Sequence, residues 1–114
     1  MTDDLNDLER DFAEAARRIL PRAAEVVRKT AFDIERTAQQ LAPVDTGFLR
    51  SSISHDLDID EEGIEAEIGP TADYGAYVEY GTARHGPQAY MNPAADTHEG
   101  PMRQAIEQIL EELL

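Results

Sequence analysis

The stretch Ser51-Ser52-Ile53-Ser54-His55-Asp56-Leu57-Asp58-Ile59-Asp60-Glu61-Glu62-Gly63-Ile64-Glu65-Ala66-Glu67-Ile68-Gly69 decides the fold, because its side chains alternate in character. Ile53, Leu57 and Ile59 are interleaved with Ser52, Ser54, Asp56, Asp58 and Asp60, and Ile64, Ala66 and Ile68 with Glu65 and Glu67. A period of two sends one set to each face of a strand. The Asp60-Glu61-Glu62-Gly63 connection carries turn chemistry, so the spacing predicts an antiparallel hairpin over 51–69. One face of that hairpin is apolar, and the other presents Asp56, Asp58, Glu65 and Glu67. His55 falls on the apolar parity, where it reads as a satisfied or rim histidine.

An apolar sheet face needs a cover, and the segment upstream offers one. Leu5, Leu8, Phe12, Ala15, Ile19, Ala23, Val26, Ile34, Ala38 and Leu41 fall mostly three or four apart, the stripe of a long amphipathic helix over 1–42. Thr2 is placed to cap it, Asp3 and Asp4 suit the positive end of its dipole, and Pro43 stops it at Ala42. Pro21 predicts a kink or a two-piece helix near Leu20. Downstream, Tyr74, Tyr77 and Val78 share a face of a short helix over 72–80 that Gly81 can end. A loop over 82–88 and a brief extended piece at 89–91 follow. Asn92-Pro93 then opens a C-terminal helix over 93–114, in which Gly100-Pro101 is a potential break. The expected fold is one α+β domain over 1–114. In it the N-terminal helix lies on a small antiparallel sheet, made of the hairpin plus one further strand, with the C-terminal helix beside it.

The 114 residues allow one modest core, and the formal net charge is −14 with a pI near 4.3. No apolar stretch approaches a bilayer span, and the acidic N-terminus does not read as a signal peptide. Such a charge argues against wrapping nucleic acid, which needs Lys and Arg to displace counterions. Nine of the ten basic residues are Arg and one is Lys29; with so many carboxylates, this bias suits either a high-salt host or a GC-rich genome.

The residues give little support for catalysis or cofactors. The absence of cysteine removes disulfides, thiol chemistry and cysteine-ligated metals. His55, His85 and His98 lack the paired spacing of a zinc site. The run from Asp56 to Glu67 has the length of a calcium loop but Glu61 where that loop requires glycine. Ser51 and Ser52 have no glycine-bracketed elbow, no phosphate-cradling loop is present, and no carboxylate pair stands out for glycoside hydrolysis. The expectation is a protein that is not an enzyme and carries no cofactor or metal.

Two segments have more texture than packing requires: Ala42-Pro43-Val44-Asp45-Thr46-Gly47-Phe48-Leu49-Arg50-Ser51-Ser52-Ile53, and Ala76-Tyr77-Val78-Glu79-Tyr80-Gly81-Thr82 with Met91-Asn92-Pro93-Ala94 behind it. Together they resemble the phage neck or tail-completion family, the gene-product-ten-like proteins of long-tailed viruses. That family carries a Pro-Val-Asp-Thr-Gly-x-Leu-Arg-x-Ser-Ile motif before a hairpin and a Val-Glu-aromatic-Gly-Thr motif before a Pro-containing helix. The resemblance covers roughly residues 30–114, with Pro43, Asp45, Thr46, Gly47, Leu49, Arg50, Ser52, Ile53, Val78, Glu79, Tyr80, Gly81, Thr82 and Pro93 as its motif positions. Tyr80 stands where phenylalanine is common, the arginine often found before Pro93 is lost, and Gly100-Pro101 is unusual.

The resemblance implies a structural virion protein at the head-tail junction, forming a homo-oligomeric ring of six or twelve copies. It would touch head-completion, adaptor or stopper proteins on one side and a tail terminator or tail tube on the other, and DNA would pass through without specific binding. Read physically, Asp45, Thr46 and Gly47 suit a turn, and Leu49 and Ile53 anchor the start of the strand. Arg50 and Glu79, or Arg84 and Glu79, are candidates for an ion pair within a subunit or between two, and Tyr80 and His85 join them as candidate interface residues. Asp56, Asp58, Glu65 and Glu67 are a candidate lumen face that would repel phosphates. A second class of function also fits the charge: a small acidic mimic of DNA that occupies a basic host protein. A carboxylate-based hydrolase is the third.

Overall fold

The computed structural model describes residues 2–43, 47–60, 63–71, 75–81 and 89–113, with side chains of 2, 3, 76 and 77 left aside. The chain is an α+β protein, with four helices and one hairpin among the described residues: α1 (Thr2–Leu41), α2 (Gly47–Ser52), β1 (Ile53–Asp60), β2 (Gly63–Pro70), α3 (Gly75–Tyr80) and α4 (Met91–Leu113). It is elongated, 68 × 22 × 22 Å, because α1 alone has 40 residues. None of its helices is long and apolar enough, among the described residues, to cross a membrane.

β1 and β2 pair antiparallel in the register Ile53 with Pro70, His55 with Ile68, Leu57 with Ala66 and Ile59 with Ile64, the set that the alternation assigns to one face. Asp60 accepts a hydrogen bond from the Gly63 amide at 3.1 Å, closing the turn from its own side chain. The apolar face lies on α1. There His55 Nδ1 sits 3.1 Å from Glu35 Oε2, and its ring meets Phe32 edge-on at 6.4 Å.

The core is small and set at the C-terminal end of α1: Ala38, Ala42, Leu49, Ile53, Tyr90 and Ala94, with Ile34, Ile68, Val78 and Met91 packed around it. Alanines on α1 and α4 let the two helices approach closely, and Leu49 and Tyr90 supply the bulk. α4 runs antiparallel to α1, with Thr37 Oγ1 at 2.7 Å from His98 Nε2 near one end and Arg22 at 2.7 Å from Glu112 near the other.

Four expectations need correction. The sheet has two strands among the described residues, and the extended piece at 89–91 is not a third. Met91 already belongs to α4, and the amides of Tyr90, Met91 and Asn92 are engaged by a side chain rather than a ladder. For the same reason α4 starts before Asn92-Pro93, so Pro93 falls in the first turn, where its missing N–H costs nothing. Ser51 and Ser52 belong to α2, not to the hairpin; Ser52 Oγ turns back to the Leu49 carbonyl at 2.8 Å. Finally, of the two alternatives at Pro21, a kink or a two-piece helix, the second is set aside because α1 runs through as one element; α4 likewise runs through Pro101, the potential break. A proline forfeits one backbone bond, a loss that the remaining bonds of a 40-residue helix absorb. α1 ends where Pro43 requires, the Ala42 amide closing its last turn on Ala38 at 2.9 Å.

Candidate functional site

The two textured segments meet at the core end of the molecule. In the first, α2 buries Leu49 completely and hands on to Ile53, which is 2% exposed. Arg50 lies half-buried over the end of α1, its guanidinium donating to the Ala42 carbonyl at 3.4 Å, while its Nε has no hydrogen-bond partner among the described residues. The Ser52 carbonyl accepts from both the amide and the hydroxyl of Thr71, at 3.1 and 3.2 Å, and Gln39 Nε2 reaches the Ile53 carbonyl at 3.5 Å. The segment therefore fastens α1, α2 and both strands to one another. Val44, Asp45 and Thr46, the turn part of the motif, lie outside the described residues.

In the second segment, Glu79 is the one buried charged residue among those described, at 5% exposure. Its Oε1 accepts from the amides of Tyr90 at 2.9 Å and Met91 at 2.6 Å, and its Oε2 from Asn92 at 3.3 Å. These are the unpaired donors at the start of α4, and a carboxylate supplied by α3 satisfies them with charge of the sign the helix dipole favours there. No ion pair joins Glu79 to Arg50; Arg84, the alternative partner, lies with Thr82 and His85 outside the described residues. Gly81 leaves α3 with φ of 83°, a left-handed conformation that glycine adopts without penalty.

Tyr90 completes the arrangement from a direction the sequence reading missed. It is 1% exposed, and its hydroxyl donates to the Gly75 carbonyl at 3.0 Å, tying the start of α4 to the start of α3. Gly75 is held against the Pro70 ring and this hydroxyl so closely that a Cβ would fall 2.8 Å from the oxygen. The available signal was an acid in a recurring motif shortly before an Asn-Pro helix start, which marks a carboxylate placed to cap. Val78 packs on the core, Pro93 is half-buried, and Tyr80 is 71% exposed.

The four hairpin carboxylates are all exposed, and the register sets them directly opposite one another, Asp56 with Glu67 and Asp58 with Glu65. Like charges so placed repel and weaken the pairing they sit on. None of the four takes part in an ion pair among the described residues. The acidic face is thus a continuous patch on the side of the hairpin away from α1.

Compared with known proteins, residues 1–81 match the family described as "Bacteriophage HK97-gp10, putative tail-component". That span takes in α1, the first textured segment, the hairpin and α3 through Gly81. No curated protein and no solved structure matches the chain.

Proposed function

The chain belongs to the HK97 gp10-like family of bacteriophage tail components, and on that premise we propose that it is a ring-forming neck or tail-completion protein at the head-tail junction. Subunits repeat around the tail axis, join the head to the tail through adaptor or stopper proteins above and a tail terminator or tail tube below, and leave a passage for DNA. Closed rotational symmetry is the usual way a homo-oligomer encloses a channel.

The observation that carries the reading is the carboxylate ladder. Two like-charged cross-strand pairs cost the isolated subunit up to about 1 kcal/mol each and serve nothing within it. Turned toward a lumen, the same four groups keep DNA phosphates from adhering to the wall, so the duplex slides without specific binding. Arg50, Tyr80, Arg84 and His85 are the candidate contacts between neighbouring subunits in this arrangement. Glu79, spent on α4 of its own chain, contributes to the interface by fixing the two ends of the 82–88 segment rather than by reaching across.

The experiment is electron microscopy of particles made when the gene is disrupted. Filled heads and finished tails that stay apart, or tails that fail at the junction, are the expected result. Intact virions with a later infection defect would overturn the neck role and favour a decoy that binds a basic host protein. A reconstruction of the assembled ring with Asp56, Asp58, Glu65 and Glu67 on its outer wall would overturn the lumen assignment alone.

A further inference from the structure

α4 ends at Leu113, close to Arg22 of α1, yet α1 continues toward Thr2 for roughly 30 Å more at 1.5 Å per residue. Along this arm every residue from Asp4 to Glu14 is exposed. The apolar ones are not scattered: Leu5 is 64% exposed, Leu8 51% and Phe12 66%, and Ala15 and Ile19 continue their row. Their spacing of three, four, three and four is that of a two-helix seam. The seam is already in use further along: Leu5, Phe12, Ile19 and Val26 are seven apart, and Val26 lies against α4 beside Ala105 and Ile109. The surface that holds α4 therefore continues, uncovered, past the end of α4.

We propose that the arm is covered by the arm of a second copy of this chain, laid antiparallel. The direction follows from charge. Asp4, Asp11 and Arg18 recur seven apart and flank the seam on one side, with Glu9 and Ala16 on the other. A parallel pair sets Asp4 beside the second copy's Glu9, acid on acid. An antiparallel pair sets Asp4 of each arm beside the second copy's Arg18, a contact that two-fold symmetry makes twice, against a single like-charged approach of Asp11 to its own copy at the axis. The second arm then runs in the direction of α4 and begins where α4 ends, so one continuous groove is filled. This pairing stands independently of the ring reading, since a two-fold contact joins two copies whatever the remaining surface does.

The test uses the full chain. Light scattering behind size exclusion at about 100 μM, well above a micromolar Kd, is expected to return the mass of two copies. Phe12→Asp is expected to abolish the pair with the helical circular dichroism unchanged, because Phe12 is outside the core of its own subunit. Arg18→Asp is expected to weaken the pair, and adding Asp4→Arg to restore it. Because the chain has no cysteine, Arg28→Cys places a single spin label; antiparallel copies put the two labels about 50 Å apart, parallel copies within about 20 Å. A monomer at this concentration, or an oligomer that Phe12→Asp leaves intact, would overturn the proposal, and a short label distance would overturn its direction. A larger assembly indifferent to Phe12→Asp supports the ring while sinking the arm pair; a dimer lost in that variant does neither harm nor service to the ring.

Discussion

Replacing Glu79 tests whether one buried carboxylate holds the junction between α3 and α4. Its Oε1 accepts the Tyr90 and Met91 amides at 2.9 and 2.6 Å and its Oε2 the Asn92 amide at 3.3 Å, all at 5% exposure. Glu79→Ala leaves these donors with no acceptor in a space water reaches poorly. Losing a cap costs about 0.5–2 kcal/mol, and stranding buried amides adds about 1–3 kcal/mol, so about 3 kcal/mol is expected. Glu79→Gln keeps the shape and the stronger acceptor but loses the charge and turns an NH2 donor toward the Asn92 amide; about 1–2 kcal/mol is expected. Urea unfolding followed by circular dichroism, with a common slope for all variants, gives both numbers, and Glu107→Ala on the exposed side of α4 serves as the control. By thermal melting the alanine variant should lose on the order of 10 °C. The reasoning is refuted if the two variants are equally stable, or if either lies within about 0.5 kcal/mol of the parent.

Other substitutions probe the remaining contacts. Tyr90→Phe removes the 3.0 Å bond to the Gly75 carbonyl and should cost about 1 kcal/mol in the same unfolding assay, with no change in helical content. Gly75→Ala drives a Cβ into the Pro70 ring and the Tyr90 hydroxyl and should cost about 1–3 kcal/mol, more than Tyr90→Phe, and the double variant should cost less than the two singles summed, because both act on one contact. Asp58→Lys converts a repelling cross-strand pair with Glu65 into an attracting one and should stabilise the subunit by about 0.2–1 kcal/mol. The same change should lower the yield of infectious particles in complementation, since it places a cation on the face proposed to line the DNA passage.

Much of the fold was legible because two of its periods are unambiguous. The hairpin follows from its alternation together with the turn residues between Asp60 and Gly63, and the length of α1 from its apolar stripe. What escaped were places where a tertiary contact overrides a local signal. Met91 looks like the end of a strand until Glu79, eleven residues or more upstream, supplies the acceptor that lets a helix begin there. Ser51 and Ser52 fit the alternation of β1, but their hydroxyls return to the Phe48 and Leu49 carbonyls, which is how short polar side chains close a helical turn. Pro21 and Pro101 each forfeit one bond in a long helix, and at Pro101 packing against Val26 and Thr30 of α1 offsets the loss. The motif residues were visible as unusual, but their roles were not. The alternation does not reveal that Glu79 turns inward to a backbone while Tyr80, its neighbour, faces out.

The net charge of −14 hides two kinds of carboxylate that only position separates. Glu79 and Glu35 are each turned to a partner, a helix start and His55, and work for the fold. Asp56, Asp58, Glu65 and Glu67 face one another and work against it. A subunit selected for its own stability alone would relieve that repulsion with a single lysine, and its surface offers no structural reason to refuse one. The opposite face of the hairpin is anchored on α1 through Ile53 and Ile68, which pack with Ala38 and Ala42, and this lets the strands stay paired despite the repulsion. The function proposed above gives the ladder a use outside the subunit, where DNA comes close and must not adhere. In the proposed ring that requirement belongs to the wall of the DNA passage, and the arm of α1, whose one flank carries both acids and Arg18, has no share in it.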